Sequence, residues 1–388
     1  MIYIQRLAEA RLKKLLKSPK VIIVLGARQV GKTTLIQHVF KGSNVELLNF
    51  DIEIDKQRFL ASSKISPSAA IKSFGMPRVL VIDEAQRLLE TGRIVKGWYD
   101  AKIPTKMVLL GSSSLNILSQ SAESLAGRND KLFLTPLLFK EILSFQDWYS
   151  SYFSWDKLQR QFSEQIKTIL FETLVFGSYP EAVITSEKTQ YLTNLVSDYL
   201  LKDILQLGLV KNPDVIKRLL MLLAHQVGSE VSVNELANNL SLSRVTIDRY
   251  LDLLEQTFVI FRLPAFSTNP RKEIAKSSKI YFWDTGIRNA LLNEFSSNPL
   301  RPDIGALWEN WVVAEAAKEN IQMELGKSLY FWRSRAGSEV DLVIKDAGRV
   351  RAFEIKWSPR QKAGKKAFRN RYGVDVKMIT SNFPVMSF

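Results

Sequence analysis

Short apolar runs punctuate the first third of the chain: Val21 to Leu25, Val45 to Phe50, Val79 to Ile82 and Met107 to Leu110. Runs of this length, bounded by glycine, serine or acidic residues, are the pattern of buried strands in an open α/β sheet. A fifth strand is expected around Lys131 to Leu134, and the segments between have room for helices. The rhythm then changes. Residues 160–225 carry helical periodicity, as in Leu192, Leu195, Val196, Tyr199 and Leu200, with few breakers before Pro213. Ser232 and Glu235 form a capping-box pattern, Ser241-Leu242-Ser243 reads as a turn into a helix from Arg244 to Gln256, and Phe258 to Leu263 reads as a strand. Helix, turn, helix, strand is the order of a winged helix.

Near the end, Ser338 to Lys345 and Val350 to Trp357 alternate as two strands joined at Asp346-Ala347-Gly348-Arg349. Either plausible turn gives one register, in which Asp341 faces Glu354 and Glu339 faces Lys356. These four side chains share one face with Val343 and Ala352. The core is therefore expected on the other face, with Val340, Leu342, Ile344, Phe353, Ile355 and Trp357.

At 388 residues the chain is too long for one core, so two or three domains are expected. The boundaries follow the changes of rhythm: 1–145, 146–225, 226–290 and 291–388. No apolar run approaches a membrane span, and no membrane partner is expected. The start, Met1 to Lys17, lacks a continuous apolar core and reads as an amphipathic helix packed beside the first strand. There is no cysteine, which rules out disulfides and thiolate metal sites and points to a cytoplasmic location. The net charge of +15 and pI near 9.7 call for a polyanionic partner, with nucleic acid the leading candidate. Residues 345–371 alone hold ten Lys/Arg against Asp346 and Glu354. The helix Arg244 to Gln256, by contrast, sets Arg244 and Arg249 against Asp248, Asp252 and Glu255, a poor match to a DNA groove.

The first run leads directly into Gly26-Ala27-Arg28-Gln29-Val30-Gly31-Lys32-Thr33, followed by Thr34. Glycines at both ends let successive N–H groups point inward beside a helix N-terminus, which makes a phosphate cradle. Lys32 would reach the β- and γ-phosphates of ATP, and Thr33 would ligate Mg²⁺. The third run ends in Asp83-Glu84, where Asp83 would hold Mg²⁺ and Glu84 would polarise the attacking water. Ser112, at the end of the fourth run, is placed to sense the γ-phosphate or to cap the next helix. Arg128 is a candidate arginine finger reaching a neighbouring subunit.

Asp341 and Glu354 across a strand pair would repel each other unless a cation lies between them. Asp…Glu-x-Lys resembles the PD-(D/E)XK nuclease fold. That resemblance makes Asp341 and Glu354 ligands of a second Mg²⁺ or Mn²⁺, makes Lys356 the catalytic cation and leaves Glu339 as the ion-pair partner of Lys356. Glu309, on a small-residue stripe of a helix from Ala306 to Lys318, is a further candidate for the same site. The alternative is a domain that binds DNA or protein without cutting.

The chain as a whole resembles bacterial and archaeal AAA-type ATPases with a nuclease-like C-terminal domain of unknown function. The shared marks are Gly26 to Thr33, Asp83-Glu84-Ala85-Gln86, Leu125-Ala126-Gly127-Arg128, and Pro136-Leu137 with Phe139 and Glu141. Further marks are Tyr179-Pro180, Lys279 to Gly286, and Glu339-Val340-Asp341 with Glu354-Ile355-Lys356. Where that family carries two glycines before Tyr-Pro, this chain has Gly177-Ser178. The resemblance implies an α/β fold: an AAA-type P-loop ATPase with a helical lid, a winged-helix-like middle and a C-terminal α/β PD-(D/E)XK domain. It also implies a homo-oligomer with a trans-acting Arg128.

Overall fold

The computed structural model describes residues 2–112, 125–200, 212–267, 278–358 and 366–382. The chain divides into two compact units, Met1–Thr135 and Pro136–Phe388.

In the first unit the apolar runs become β1 (Val21–Leu25), β2 (Val45–Asn49), β3 (Val79–Asp83) and β4 (Lys106–Gly111), joined by β5 (Asn129–Phe133). They form one five-stranded parallel sheet in the order β2-β3-β4-β1-β5. β1 and β3 are buried along their whole length, which explains their unbroken Val/Ile/Leu composition. β5 is an edge strand, and its polar Asn129, Asp130 and Lys131 reflect that place. The helix Ala8–Leu15 packs on β5, the strand next to β1, and on the helix Lys32–Val39. β1 is interior, flanked by β4 and β5, and offers no free edge. At the end of that first helix, Lys106 Nζ donates to the carbonyls of Leu15 at 3.1 Å and Ser18 at 2.6 Å, a cation placed on a helix C-terminus.

The second unit starts with helices, among them Trp155–Phe176 and Pro213–His225. The helices Val233–Leu240 and Arg244–Gln256 follow, with Ser232 and Ser243 accepting from the amides of Glu235 and Thr246. The next strand, β6, spans only Ile260–Leu263 and pairs antiparallel with β7 (Lys279–Phe282). It starts later than the expected Phe258 because Phe258 adopts φ 57° and cannot extend a strand. Arg262 of β6 bonds Asp252 and Glu255, so two of the three acids of the preceding helix are spent internally.

The C-terminal sheet has the order β11-β10-β9-β8, formed by β8 (Ser328–Arg333), β9 (Glu339–Asp346), β10 (Arg349–Lys356) and β11 (Val376–Thr380). β9 and β10 pair in the expected register, with Asp346 opposite Arg349 and Leu342 opposite Phe353. The expectation of a one-sided core fails. Val340, Leu342, Ile344, Phe353 and Ile355 are buried, but so are Val343 and Ala352 on the acids' own face. There Phe368 and Tyr372 of the helix Lys366–Tyr372 pack with Trp332 and Phe266. The i, i+4 pair Phe368/Tyr372 gives an otherwise basic helix an apolar stripe.

A buried polar network joins the elements of this unit. Asp284 caps the helix Thr285–Leu292 and accepts from both the amide (2.7 Å) and the hydroxyl (3.0 Å) of Ser178. Lys318 donates to the same hydroxyl at 2.8 Å and to Glu315 at 3.0 Å, and Glu315 accepts from the Phe139 amide at 2.9 Å. Ser178 thus both donates and accepts within this network. Gly177 is different: its φ is +72°, and a Cβ there would lie 1.9 Å from Asp284 Oδ1. Gly177→Ala is expected to destabilise the protein by more than about 2 kcal/mol. Urea unfolding checks this, with Ser178→Ala expected to cost less.

Candidate functional site

The carboxyl ends of β1, β3 and β4 open on one edge of the first sheet, and the predicted nucleotide-site residues collect there. After Leu25 the chain turns through Gly26 to Gly31 into the helix Lys32–Val39. Val30 is fully buried and anchors the turn, Gln29 takes φ 62° and Gly31 φ 92°, a conformation open mainly to glycine. Ala27, Arg28, Lys32, Thr33 and Thr34 complete the loop and the first helical turn. Lys32 is 5% exposed, and its Nζ donates to the carbonyls of Gly26 and Ala27 at 2.9 Å each. The ammonium is held across the mouth of its own loop.

Thr33 Oγ1 donates to Asp83 Oδ2 at 2.6 Å. A hydroxyl and a carboxylate in contact are a hard-oxygen donor pair of the kind Mg²⁺ takes beside a triphosphate. The residues present therefore fit the ion. Asp83 Oδ1 accepts from the Glu84 amide at 2.9 Å, and Glu84 adopts φ 51°. Burial raises the Glu84 carboxyl above the ordinary carboxylate range, although Lys32 and Arg28 pull it back. A raised carboxylate beside a phosphate cradle suits a general base. Gln86 Nε2 bonds Glu84 Oε2 at 2.5 Å and Ser112 Oγ at 3.1 Å. Ser112 therefore stands beside Gln86, which in turn bonds Glu84; Ser113, Ser114 and the segment a serine here was expected to cap lie outside the described residues.

Two basic residues that support this edge were not singled out from sequence. Asp51, just past β2, pairs with Arg28 at 3.1 Å and Arg87 at 3.0 Å. Arg6 is buried and donates to the carbonyls of Val30 at 2.8 Å and Thr135 at 2.6 Å. Nothing local in the sequence marks Arg6, since its partners are 24 and 129 residues away.

Arg128 sits at the other end of the sheet. Its carbonyl accepts from the Val21 amide, at the start of β1, and its Nε bonds Asp100 at 2.7 Å. The length of β1 separates it from the loop of its own chain, roughly 17 Å of strand.

In the second unit, Lys356 Nζ lies 3.7 Å from Asp341 Oδ2 and 3.4 Å from Glu354 Oε1. The repulsion anticipated between the two acids is thus met by a lysine of the chain, and Asp341 also accepts from the Ile355 amide at 2.7 Å. Glu339 does not pair with Lys356; it pairs with Lys279. Lys279 is 2% exposed and also bonds Glu309 Oε1 at 2.9 Å, while Tyr281 donates to the same oxygen at 2.7 Å. Glu309 is therefore held by Lys279 and Tyr281, and among the described residues no group of three or more acids or histidines is arranged to hold a metal ion. The expected second-metal set of Glu309, Asp341 and Glu354 does not assemble. The reason is Lys279, which heads an apolar strand and carries its charge inward. A lysine opening so apolar a run was the available signal.

Residues 18–143 match the family described as an AAA domain. They form an AAA-type ATPase domain. Two domains of unknown function match the remainder, DUF8612 at 167–298 and DUF4143 at 304–382. The chain is 29% identical over 364 residues to an uncharacterized protein of Mycobacterium tuberculosis, covering 92% of this chain and 74% of that one. An uncharacterized protein of Methanocaldococcus jannaschii is 26% identical over 386 residues, covering 94% and 82%. Among solved structures, a Walker-type ATPase of Pyrococcus abyssi superposes with a TM-score of 0.51 at 15% identity, covering 75% of this chain and 96% of that one. At that identity the likeness is one of fold. The AAA domain implies ATP as ligand and its hydrolysis as activity. No helix among the described residues is long and apolar enough to cross a membrane.

Lys279 is the cation that neutralises Glu309 and Glu339 away from water. Lys279→Met is expected to cost about 3–5 kcal/mol, because it leaves buried acids uncompensated. Adding Glu309→Gln to Lys279→Met should recover part of that loss, which chemical denaturation of the single and double variants measures.

Proposed function

We propose that the protein is an oligomeric, Mg²⁺-dependent ATPase whose turnover drives an action on DNA through its C-terminal domain. The observation that carries the ATPase part is the meeting of Lys32, Thr33, Asp83, Glu84 and Ser112 at one sheet edge, with Thr33 and Asp83 2.6 Å apart. Lys32 would bind the β- and γ-phosphates, and Thr33 and Asp83 would hold Mg²⁺. When bound there, the ion would neutralise charge developing on the phosphates. Glu84 takes a proton from the attacking water, and Ser112 lies beside the γ-phosphate position. Arg128, a sheet-length from its own loop, fits the finger role between subunits: the partner subunit's Arg128 would complete the site, released from a pair like that with Asp100.

The action on DNA is supported by the net charge of +15 and the basic stretch 345–371. On the nuclease reading Asp341 and Glu354 alone, without Glu309, would hold Mg²⁺ or Mn²⁺, and Lys356 would be the catalytic cation. A second reading, an ATP-gated scaffold that grips DNA or protein without cutting, is favoured by a specific observation. Asp341 and Glu354 are only 5% and 4% exposed, and Lys356 stands between them.

Lys32→Ala should abolish ATP binding, whereas Glu84→Gln should keep binding and lose about 100-fold or more in turnover; a coupled phosphate-release assay reads both. Arg128→Ala that hydrolyses ATP at the full rate at assembling concentrations would remove the finger. With Mg²⁺ or Mn²⁺ and linear or branched DNA, nicking that disappears in Asp341→Ala supports the nuclease reading, and intact DNA supports the scaffold. DNA affinity should fall steeply as salt rises to physiological strength.

A further inference from the structure

Gln86 has no role in the mechanism above, yet it stands between two groups that do. It occupies the single turn Ala85–Arg87 directly after Glu84. Its Nε2 donates to Glu84 Oε2 and to Ser112 Oγ. A carboxylate only accepts, so this contact decides which end of the amide faces Glu84. The carbonyl end is turned away from it, and Gln86 Oε1 is buried with no hydrogen-bond partner among the described residues. A buried acceptor left unpaired is costly, and the two bonds from Nε2 hold the amide in this orientation against that cost. The second oxygen of the acid, Glu84 Oε1, is not held by Gln86 and faces Arg28 at 3.9 Å.

We propose that Gln86 is a positioning residue for the attacking water: it clamps one carboxylate oxygen of Glu84 so that the other is presented to the water. This rests on the hydrolytic reading of the site and adds the element that orients its nucleophile. The water oxygen bonds to the γ-phosphorus while the bond from that phosphorus to the β–γ bridging oxygen breaks, and the electron pair leaves with ADP. One proton passes to Glu84. The other stays on the new phosphate. The link from Gln86 to Ser112 makes the orientation depend on the residue that lies beside the γ-phosphate.

Gln86→Met keeps the length of the side chain and removes both donor and acceptor. Its turnover should fall about 10- to 100-fold, with affinity for a non-hydrolysable ATP analogue within about twofold of the unmodified protein. ADP with fluoroaluminate, which mimics the phosphoryl group in flight with its in-line water, should bind more weakly to Gln86→Met. ADP with beryllium fluoride, a ground-state mimic, should bind unchanged. In a Glu84→Gln background, Gln86→Met should add little to the loss. Unimpaired turnover in Gln86→Met, or equal weakening of both analogues, would overturn the proposal. Should Gln86→Met fail to fold, Gln86→Leu is close in volume, cannot donate to Glu84 and is expected to show the same split between analogues. An unmodified protein that binds ATP without turning it over would refute the hydrolytic reading, while the comparison of fluoroaluminate with beryllium fluoride still decides the role of Gln86.

Discussion

The parallel ladder joining β3, β4 and β1 is the constraint on which the nucleotide site depends. Parallel strands all point the same way, so their carboxyl ends lie along one edge. With Ile82 opposite Leu109 and Leu25 opposite Gly111, the residues just beyond the strands fall side by side: Gly26, Glu84 and Ser112. None of the three could be moved without breaking a buried ladder. The contact of Thr33 with Asp83 follows, because a helix entering from β1 must start opposite the end of β3, beyond the intervening β4. Helices and loops then add what strands cannot: left-handed turns at Gln29, Gly31 and Glu84, and guanidinium groups that hold them.

The second unit uses charge differently. Its buried lysines each neutralise carboxylates away from water: Lys279 with Glu309 and Glu339, Lys318 with Glu315. Such pairs stabilise little on balance, because desolvation offsets attraction, but they punish any misplacement. Neutral polar side chains do similar structural work. Ser178 and Asp284 bond each other, and Asn310 pairs with both backbone groups of Phe282 at the end of β7. The unit is specified by polar fit as much as by apolar area.

What was legible in the chain was whatever depends on short range. The phosphate loop, the acid-ending strand and the β9–β10 register rest on spacing within a few residues, and pairing positions across a tight turn leaves no freedom. Contacts between distant segments were not legible. The second covered face of the C-terminal sheet comes from Phe368 and Tyr372, hidden in a basic helix. Glu309 looked like a metal ligand because a carboxylate on a small-residue stripe must be compensated somehow. The compensating charge was Lys279, 30 residues earlier, and no periodicity connects the two. The short β6 was a different failure, since the left-handed turn at Phe258 is a conformation that bulky residues seldom adopt.

Arg6 has a consequence in mechanical terms. One guanidinium holds the carbonyl of Val30, in the bend that would cradle phosphate, and that of Thr135, where the polypeptide leaves the first unit. Its planar fork cannot stretch, so the two carbonyls keep a set separation. The group acts as a strut: any shift of the cradle pulls on the strand of chain that departs from the domain, and tension applied to that departing strand is felt at the cradle.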